Sequence, residues 1–176
     1  MQVLGEGRFV RLIKEESYEF VERKGCTGIV SIVAITEENE LVFVEQYRAP
    51  LRCRTIELAA GLAGDEGDES LESAARRELL EETGYKASSL QFLFVGPSAG
   101  GITTAQVHYY LAPDVVKVHE GGGVADEDIT VHVVPANAVH EWLQQQSTGE
   151  VMVDPKAFLA VAIALQGWRS QVRETP

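Results

Sequence analysis

Three glutamates, Glu78, Glu81 and Glu82, fall within five residues of one another. On a helix, positions i, i+3 and i+4 share a face, with β-carbons roughly 5–6 Å apart. Like charges held this close repel by about 0.2–0.5 kcal/mol per pair even on an exposed helix. Such a face needs positive charge, and two sources fit. One is a solvated face with Arg76 and Arg77 as neighbours. The other is a hard cation: Mg²⁺ takes oxygen ligands in near-octahedral geometry and usually binds one or two carboxylates plus substrate phosphates.

The element that must carry these carboxylates reads as a helix from Ser70 to Glu82. Polar Asp68 or Ser70 starts it, and Gly84 stands where a left-handed C-terminal cap belongs. Leu71, Ala75 and Leu79 recur at i, i+4 and i+8 and give a separate apolar stripe for packing. The stretch Glu57-Leu58-Ala59-Ala60-Gly61 reads as a loop leading into it.

Glu69, seven residues, then Arg77-Glu78-Leu79-x-Glu81-Glu82-x-Gly84-Tyr85 resembles the Nudix box of the Nudix hydrolases. One position departs from it. The opening glycine of that motif belongs six residues before Glu69, where this chain has Ala63, flanked by Gly61 and Gly64. A loop lengthened by about two residues after Gly61 accounts for the offset. The resemblance implies an α/β/α sandwich with a mixed β-sheet and Mg²⁺-dependent cleavage of nucleoside diphosphates linked to another moiety, with Mn²⁺ able to substitute. It also implies that Glu78, Glu81, Glu82 and the carbonyl of Ala60 hold metal, Glu81 serving also in catalysis. Arg77 and Glu69 are then expected to orient the acidic cluster through a salt bridge.

The flanks narrow the resemblance. Glu45-Gln46-Tyr47-Arg48-x-Pro50, followed by Glu57-Leu58-Ala59-Ala60-Gly61, is similar to the ADP-ribose pyrophosphatase group, with Ala59 in place of a proline. There Arg48 would clamp a phosphate with its guanidinium fork. Tyr18-Glu19-Phe20-Val21-Glu22-Arg23 is similar to the aromatic-Glu-x-x-x-Arg segment of that group. By that likeness Tyr18, Glu19 and Arg23 contact substrate, and Arg23 reaches phosphate. A glutamate just before an Asp-Ile step serves there as catalytic base or completes the metal cluster, which points to Glu127 in Ala125-Asp126-Glu127-Asp128-Ile129. Related enzymes often carry another glutamate where Thr104 or Ala105 stands here.

The rest of the chain bounds these readings. Its 176 residues suit one domain with a sizeable core. A net charge of −12 repels nucleic-acid phosphates, and an anionic substrate would need a local cation to offset it. Cys26 and Cys53 offer no zinc spacing or disulfide framework, and the four histidines share no ligand spacing. With no signal-peptide pattern and no apolar run long enough to span a bilayer, a cytoplasmic protein is expected.

Strands are expected at 8–13 and 18–23 as a hairpin, then at 29–36, 41–46, 55–58, 90–95, 106–112 and 129–134. Helices are expected at 137–146 and from Asp154, with Pro155 in its first turn. Gly121-Gly122-Gly123 marks a flexible loop between 117 and 126. Residues 1–24 are expected to form an N-terminal hairpin segment for dimerisation and substrate contact, and 25–176 the Nudix hydrolase domain, with a homodimer implied by the resemblance. The substrate expected is ADP-ribose or a related nucleoside diphosphate sugar, giving a nucleoside monophosphate and a sugar phosphate. GDP-mannose, a dinucleoside polyphosphate or an oxidised nucleotide stand as alternatives, as does a regulator that binds a nucleotide sugar without cleaving it.

Overall fold

Alternation along two central strands decides the layering. In β4 (Gly28–Thr36), Val30, Ile32 and Ala34 belong to one buried cluster, while Val33 and Ile35 belong to another. In β5 (Glu40–Arg48), Val42 and Val44 join the first cluster, and Leu41 and Phe43 the second. Successive side chains of a strand point to opposite faces, so a strand apolar on both faces needs cover on both. The first face is covered by α1 (Leu71–Thr83) through Ala74, Ala75 and Leu79. The second is covered by α2 (Val139–Gln146) through Val139 and Leu143, and by α3 (Ala157–Leu165) through Ala157, Ala160 and Val161. This computed structural model describes residues 1–65, 67–124 and 127–165, and in it the expected α/β/α sandwich is present.

The sheet between the helices is mixed. Its path runs β12 (Val151–Val153), β6 (Cys53–Glu57), β5, β4, β10 (Gln106–Lys117), β8 (Tyr85–Lys86). Three strands branch from that path: β7 (Ala59–Ala63) pairs with β4, β9 (Gln91–Pro97) with β10, and β11 (Ile129–Pro135) with β5. The β4–β10 and β6–β12 pairs are parallel and the others antiparallel. A smaller antiparallel sheet lies outside it, made of β1 (Gln2–Glu6), β2 (Val10–Glu15) and β3 (Tyr18–Arg23).

Several boundaries differ from the sequence reading. The N-terminal hairpin gains a third strand, because Gln2–Glu6 pairs along β2. The stretch before the acidic helix is a strand, with only Leu58 between β6 and β7. Small residues such as Ala59, Ala60 and Gly61 carry little strand propensity, and tertiary pairing with β4 decides their state. The strand β10 runs on to Lys117, where it pairs with β8. Asp154, expected to open a helix, instead closes a turn by accepting the Lys156 N–H at 2.8 Å, and α3 starts three residues later. The domain expected to run to residue 176, and Asp126 of the second acidic stretch, extend past the described residues.

Candidate active site

The acidic helix is fixed at both ends by the residues the sequence offers for it. Ser70 caps the start of α1, its hydroxyl accepting the Ser73 N–H at 3.1 Å. Gly84 ends it at φ 74, its N–H donating to Leu80 O at 2.8 Å. The helix lies beside β7. Ala60 faces Ser31 of β4, but its N–H turns the other way and donates to Glu82 Oε2 at 3.0 Å. In an extended strand the N–H and C=O of one residue leave on the same side, so the Ala60 carbonyl also faces the helix. Leu62, two residues on, behaves alike and accepts Arg77 Nη2 at 2.9 Å.

Gly61 sits between these two. A Cβ built there would overlap the Glu78 carboxylate, so this position admits only glycine while Glu78 holds its place. That explains the displaced glycine. Ala63 is a fully buried strand residue opposite Gly28, and the residue beneath the acidic helix is Gly61.

Arg77 organises the acidic face. Its Nη2 donates to Glu69 at 2.8 Å, and its Nη1 donates to Glu78 at 3.0 Å and to Glu81 at 3.2 Å. The salt bridge expected between Arg77 and Glu69 is thus present. Burial pushes the Glu78 carboxyl up to about 7, against the attraction of Arg77. Glu82, 4% exposed, is pushed up to about 8 by burial, with the Ala60 N–H opposing and Glu78 and Glu127 adding repulsion. In both carboxyls the cost of burial outweighs the compensation that their neighbours supply.

These groups line a cleft of about 470 Å³. Of the residues singled out from sequence, Glu78, Glu82, Ala60, Glu127, Arg48 and Arg23 all border it. Glu81 does not, since its carboxylate lies on Arg77. Tyr18 borders a separate pocket near Gly100 and Gly101 and is 65% exposed. Glu19 is exposed on β3, opposite Lys14.

Arg48 does not reach into the cleft as a loose side chain. Glu57, 8% exposed, accepts its Nε and Nη2, each at 2.6 Å, leaving Nη1 without a hydrogen-bond partner among the described residues. Glu57 is thus a site residue whose role the sequence did not reveal, although it opens the quoted Glu-Leu-Ala-Ala-Gly stretch. Ser31 also borders the cleft, and its signal was a lone hydroxyl inside the apolar run Ile29-Val30-Ser31-Ile32-Val33. Lys156 borders it too, with no sequence signal.

The loop carrying Glu127 is anchored to α1. Gly122 N–H donates to Glu82 O at 2.9 Å, and Gly123 N–H to Glu81 O at 3.0 Å, satisfying carbonyls at the helix end. Gly121, at φ 72, packs so closely on Thr83 that a Cβ would overlap its backbone. The triple glycine therefore serves close approach as well as freedom of turn. Glu127 Oε2 accepts the Val124 N–H at 2.9 Å and faces the same cleft as Glu82.

Among the described residues, no three Asp, Glu, His or Cys side chains converge into a ready-made metal cage. A cation that binds one or two carboxylates and completes its shell from substrate and water needs less, and two carboxylates beside an inward carbonyl suit Mg²⁺. No helix among these residues is long and apolar enough to cross a membrane.

Comparison with known proteins agrees with this geometry. The Nudix domain matches residues 27–154. The chain is 37% identical over 107 residues to a methanol dehydrogenase activator of Bacillus methanolicus, and 36% over 107 residues to an ADP-ribose pyrophosphatase of Bacillus subtilis (strain 168). Each alignment covers 61% of this chain and 56% of the relative, so the matched part spans just over half of those proteins. A GDP-mannose pyrophosphatase of Cronobacter sakazakii is 31% identical over 164 residues, covering 82% of this chain and 83% of the relative. A solved structure described as an ADP compounds hydrolase superposes with a TM-score of 0.67, over 99% of this chain and 94% of that one, at 19% identity, and so speaks for the fold. With the domain match spanning most of the chain and its acidic helix folded against Gly61, the protein belongs to the Nudix family.

Proposed function

We propose that the chain hydrolyses the diphosphate bridge of ADP-ribose or a related nucleoside diphosphate sugar, with Mg²⁺ bound and Mn²⁺ able to replace it. The observation that carries this reading is the convergence of Glu78, Glu82 and the Ala60 main chain with Arg23 and Arg48 around one cleft. Its volume, about 470 Å³, falls within the roughly 300–1,000 Å³ of small-ligand sites.

In this reading Glu78, Glu82 and the Ala60 carbonyl hold the divalent ion. Bound there, the ion would supply positive charge to the diphosphate oxygens and so make phosphorus more open to attack by water. Arg48, held by Glu57, presents Nη1 to the diphosphate, and Arg23 meets it from β3. Glu127 positions the attacking water and takes its proton through the oxygen that does not accept the Val124 N–H. Glu81 acts through Arg77, steadying Glu78. One water is consumed, one phosphoanhydride bond breaks, and a nucleoside monophosphate and a sugar phosphate leave.

The test is a panel of ADP-ribose, GDP-mannose, UDP-glucose, diadenosine polyphosphates and nucleoside triphosphates with Mg²⁺ and an EDTA control, products identified by mass. EDTA-sensitive cleavage confined to diphosphate sugars is expected; preference for triphosphates would overturn the substrate class. GDP-mannose is a second reading, favoured by the relative whose alignment runs over 82% of this chain. Tight binding without any cleavage would instead support a regulator.

Residues 1–24 complete the proposal as a dimerisation segment. Val3, Leu4, Phe9, Val10 and Leu12 expose apolar surface on or beside the small sheet, which supports a homodimer formed there. Tyr18 and Glu19, away from their own cleft, then contact substrate bound by the second copy. Light scattering at a dimer mass is expected, and a monomer at micromolar concentration would remove this part.

A further inference from the structure

Ser31 is 1% exposed, and its Oγ has no hydrogen-bond partner among the described residues. A buried hydroxyl without a partner is uncommon in a folded protein and calls for an explanation. Ser31 nevertheless borders the cleft.

Strand geometry shows which part of Ser31 does so. Both edges of β4 are occupied at this point, by Ala60 of β7 and Tyr109 of β10, so no main-chain edge is open. Ile29, two residues earlier, also borders the cleft, whereas Val30 and Ile32 belong to the cluster beneath α1. Residues i and i+2 share a face of a strand, so the Ser31 side chain faces the cleft as Ile29 does. Directly across from Ser31 stands Ala60, whose N–H binds Glu82. Opposed β-carbons in such a pair lie about 4.5–5.5 Å apart, which sets the hydroxyl close to the acidic end of the cleft.

We propose that Ser31 Oγ is a substrate-binding group on the cleft floor, donating a hydrogen bond to an oxygen of the bound diphosphate. The assignment rests on the reading that this cleft takes a nucleoside diphosphate. A hydroxyl suits the position chemically. A carboxylate there would add to the repulsion among Glu78, Glu82 and Glu127, while a lysine would compete with the cation. Serine donates to a phosphate oxygen without changing the charge of the site. With no partner among the described residues, that donor is available to a ligand, and burial on a paired central strand keeps it in place.

The test is Ser31→Ala, with Ser31→Cys as a near-isosteric second variant should alanine fail to fold. Steady-state kinetics on ADP-ribose and GDP-mannose should show KM raised about tenfold and kcat changed less than about twofold, as for loss of binding shared by ground and transition states. The thermal midpoint without ligand should stay level or rise, because the variant removes an unsatisfied buried hydroxyl. An unchanged KM would overturn the assignment, as would a fall in kcat accompanied by a lower midpoint, which marks a packing role. The two readings fail separately. Should the wild type cleave no nucleoside diphosphate derivative, calorimetric titration of Mg²⁺-pyrophosphate into wild type and variant still decides Ser31. Weaker binding by the variant supports it, and equal binding overturns it.

Discussion

Arg54 and Arg77 each stand among carboxylates, but the charges around them close differently. Arg54 donates to Glu45 at 2.6 Å and to Asp128 at 2.8 Å, and His132 Nε2 lies 2.8 Å from the other Glu45 oxygen. Burial alone would push the Glu45 carboxyl up, yet the hydrogen bonds from His132 and Arg54 hold it below its ordinary value. Around Arg77, one guanidinium serves Glu69, Glu78 and Glu81, with Asp65 at 3.8 Å, and Glu82 next to them makes no ion pair among the described residues. There the half-buried Glu78 carboxyl rises to about 7 and the buried Glu82 carboxyl to about 8. The same residue types thus build a closed ionic joint in one place and an incomplete one in the other. The carboxyls left under-served in the second arrangement, Glu78 and Glu82, are the ones that border the cleft.

Removing one carboxylate from the incomplete cluster should have the largest effect. Glu82→Gln keeps the volume and removes the charge, so the fold should persist. Turnover should fall roughly 10³-fold, beyond the roughly 10–100-fold typical of a lost outer partner of a metal ligand. Near-wild-type activity would take Glu82 out of the metal site. The same variant tests the charge argument without turnover. Glu82 has a folded value of about 8 against an ordinary 4.5, so between those pH values the folded state binds more protons than the unfolded one. Stability of the metal-free protein should therefore decline as pH rises through that window. Glu82→Gln should flatten the decline, and Mg²⁺ should offset it in the wild type; equal slopes in both proteins would show that Glu82 is not strained.

The contrast between the two clusters also explains what the sequence could and could not reveal. Glu78, Glu82 and Arg77 were legible because helical spacing is local and carries them to one face without knowledge of the rest of the fold. The central strands were legible for a similar reason, since Ile29–Thr36 and Leu41–Gln46 are apolar on both faces. Glu57, Ser31 and the pairing of β7 were not, because their roles arise from contacts across the sheet. Glu57 matters through Arg48 on the neighbouring strand, nine residues away. Gly61 was read as a loop glycine, and its need appears only when Glu78 is laid over it. The glycines at 121–123 suggested freedom, whereas their N–H groups and close approach tie the Glu127 loop to the end of α1.

That loop gives the next prediction. Glu127→Gln should lower kcat about 10²-fold, at the lower end of what a positioned general base contributes, with KM within a few fold. A change in KM alone would make Glu127 a substrate contact. Gly61→Ala should act more mildly and by a different route. The new methyl group displaces the Glu78 carboxylate, so the Mg²⁺ concentration for half-maximal activity should rise about tenfold while both glutamates remain. An unchanged metal requirement would show that Glu78 does not bind the ion from its present position.

The smallest effect belongs to the closed cluster, and its direction makes it informative. Arg54→Met removes a partly exposed partner of Glu45 and Asp128, and the cost should be on the order of 1 kcal/mol or less. Activity should stay at wild-type level, because Arg54 does not border the cleft. The pH response should be opposite in sign to that of Glu82. A carboxyl whose folded value is depressed contributes stability that is present above its ordinary 4.5 and is lost as pH falls through the lowered value. The gap between wild type and Arg54→Met should therefore narrow in acid, whereas the gap between metal-free wild type and Glu82→Gln should widen toward pH 8. Chemical denaturation at several pH values reads both. If the two gaps moved in the same direction, the division into a closed ionic joint and an incomplete one would fail, and Glu82 would have to be explained as a buried carboxyl compensated within the fold.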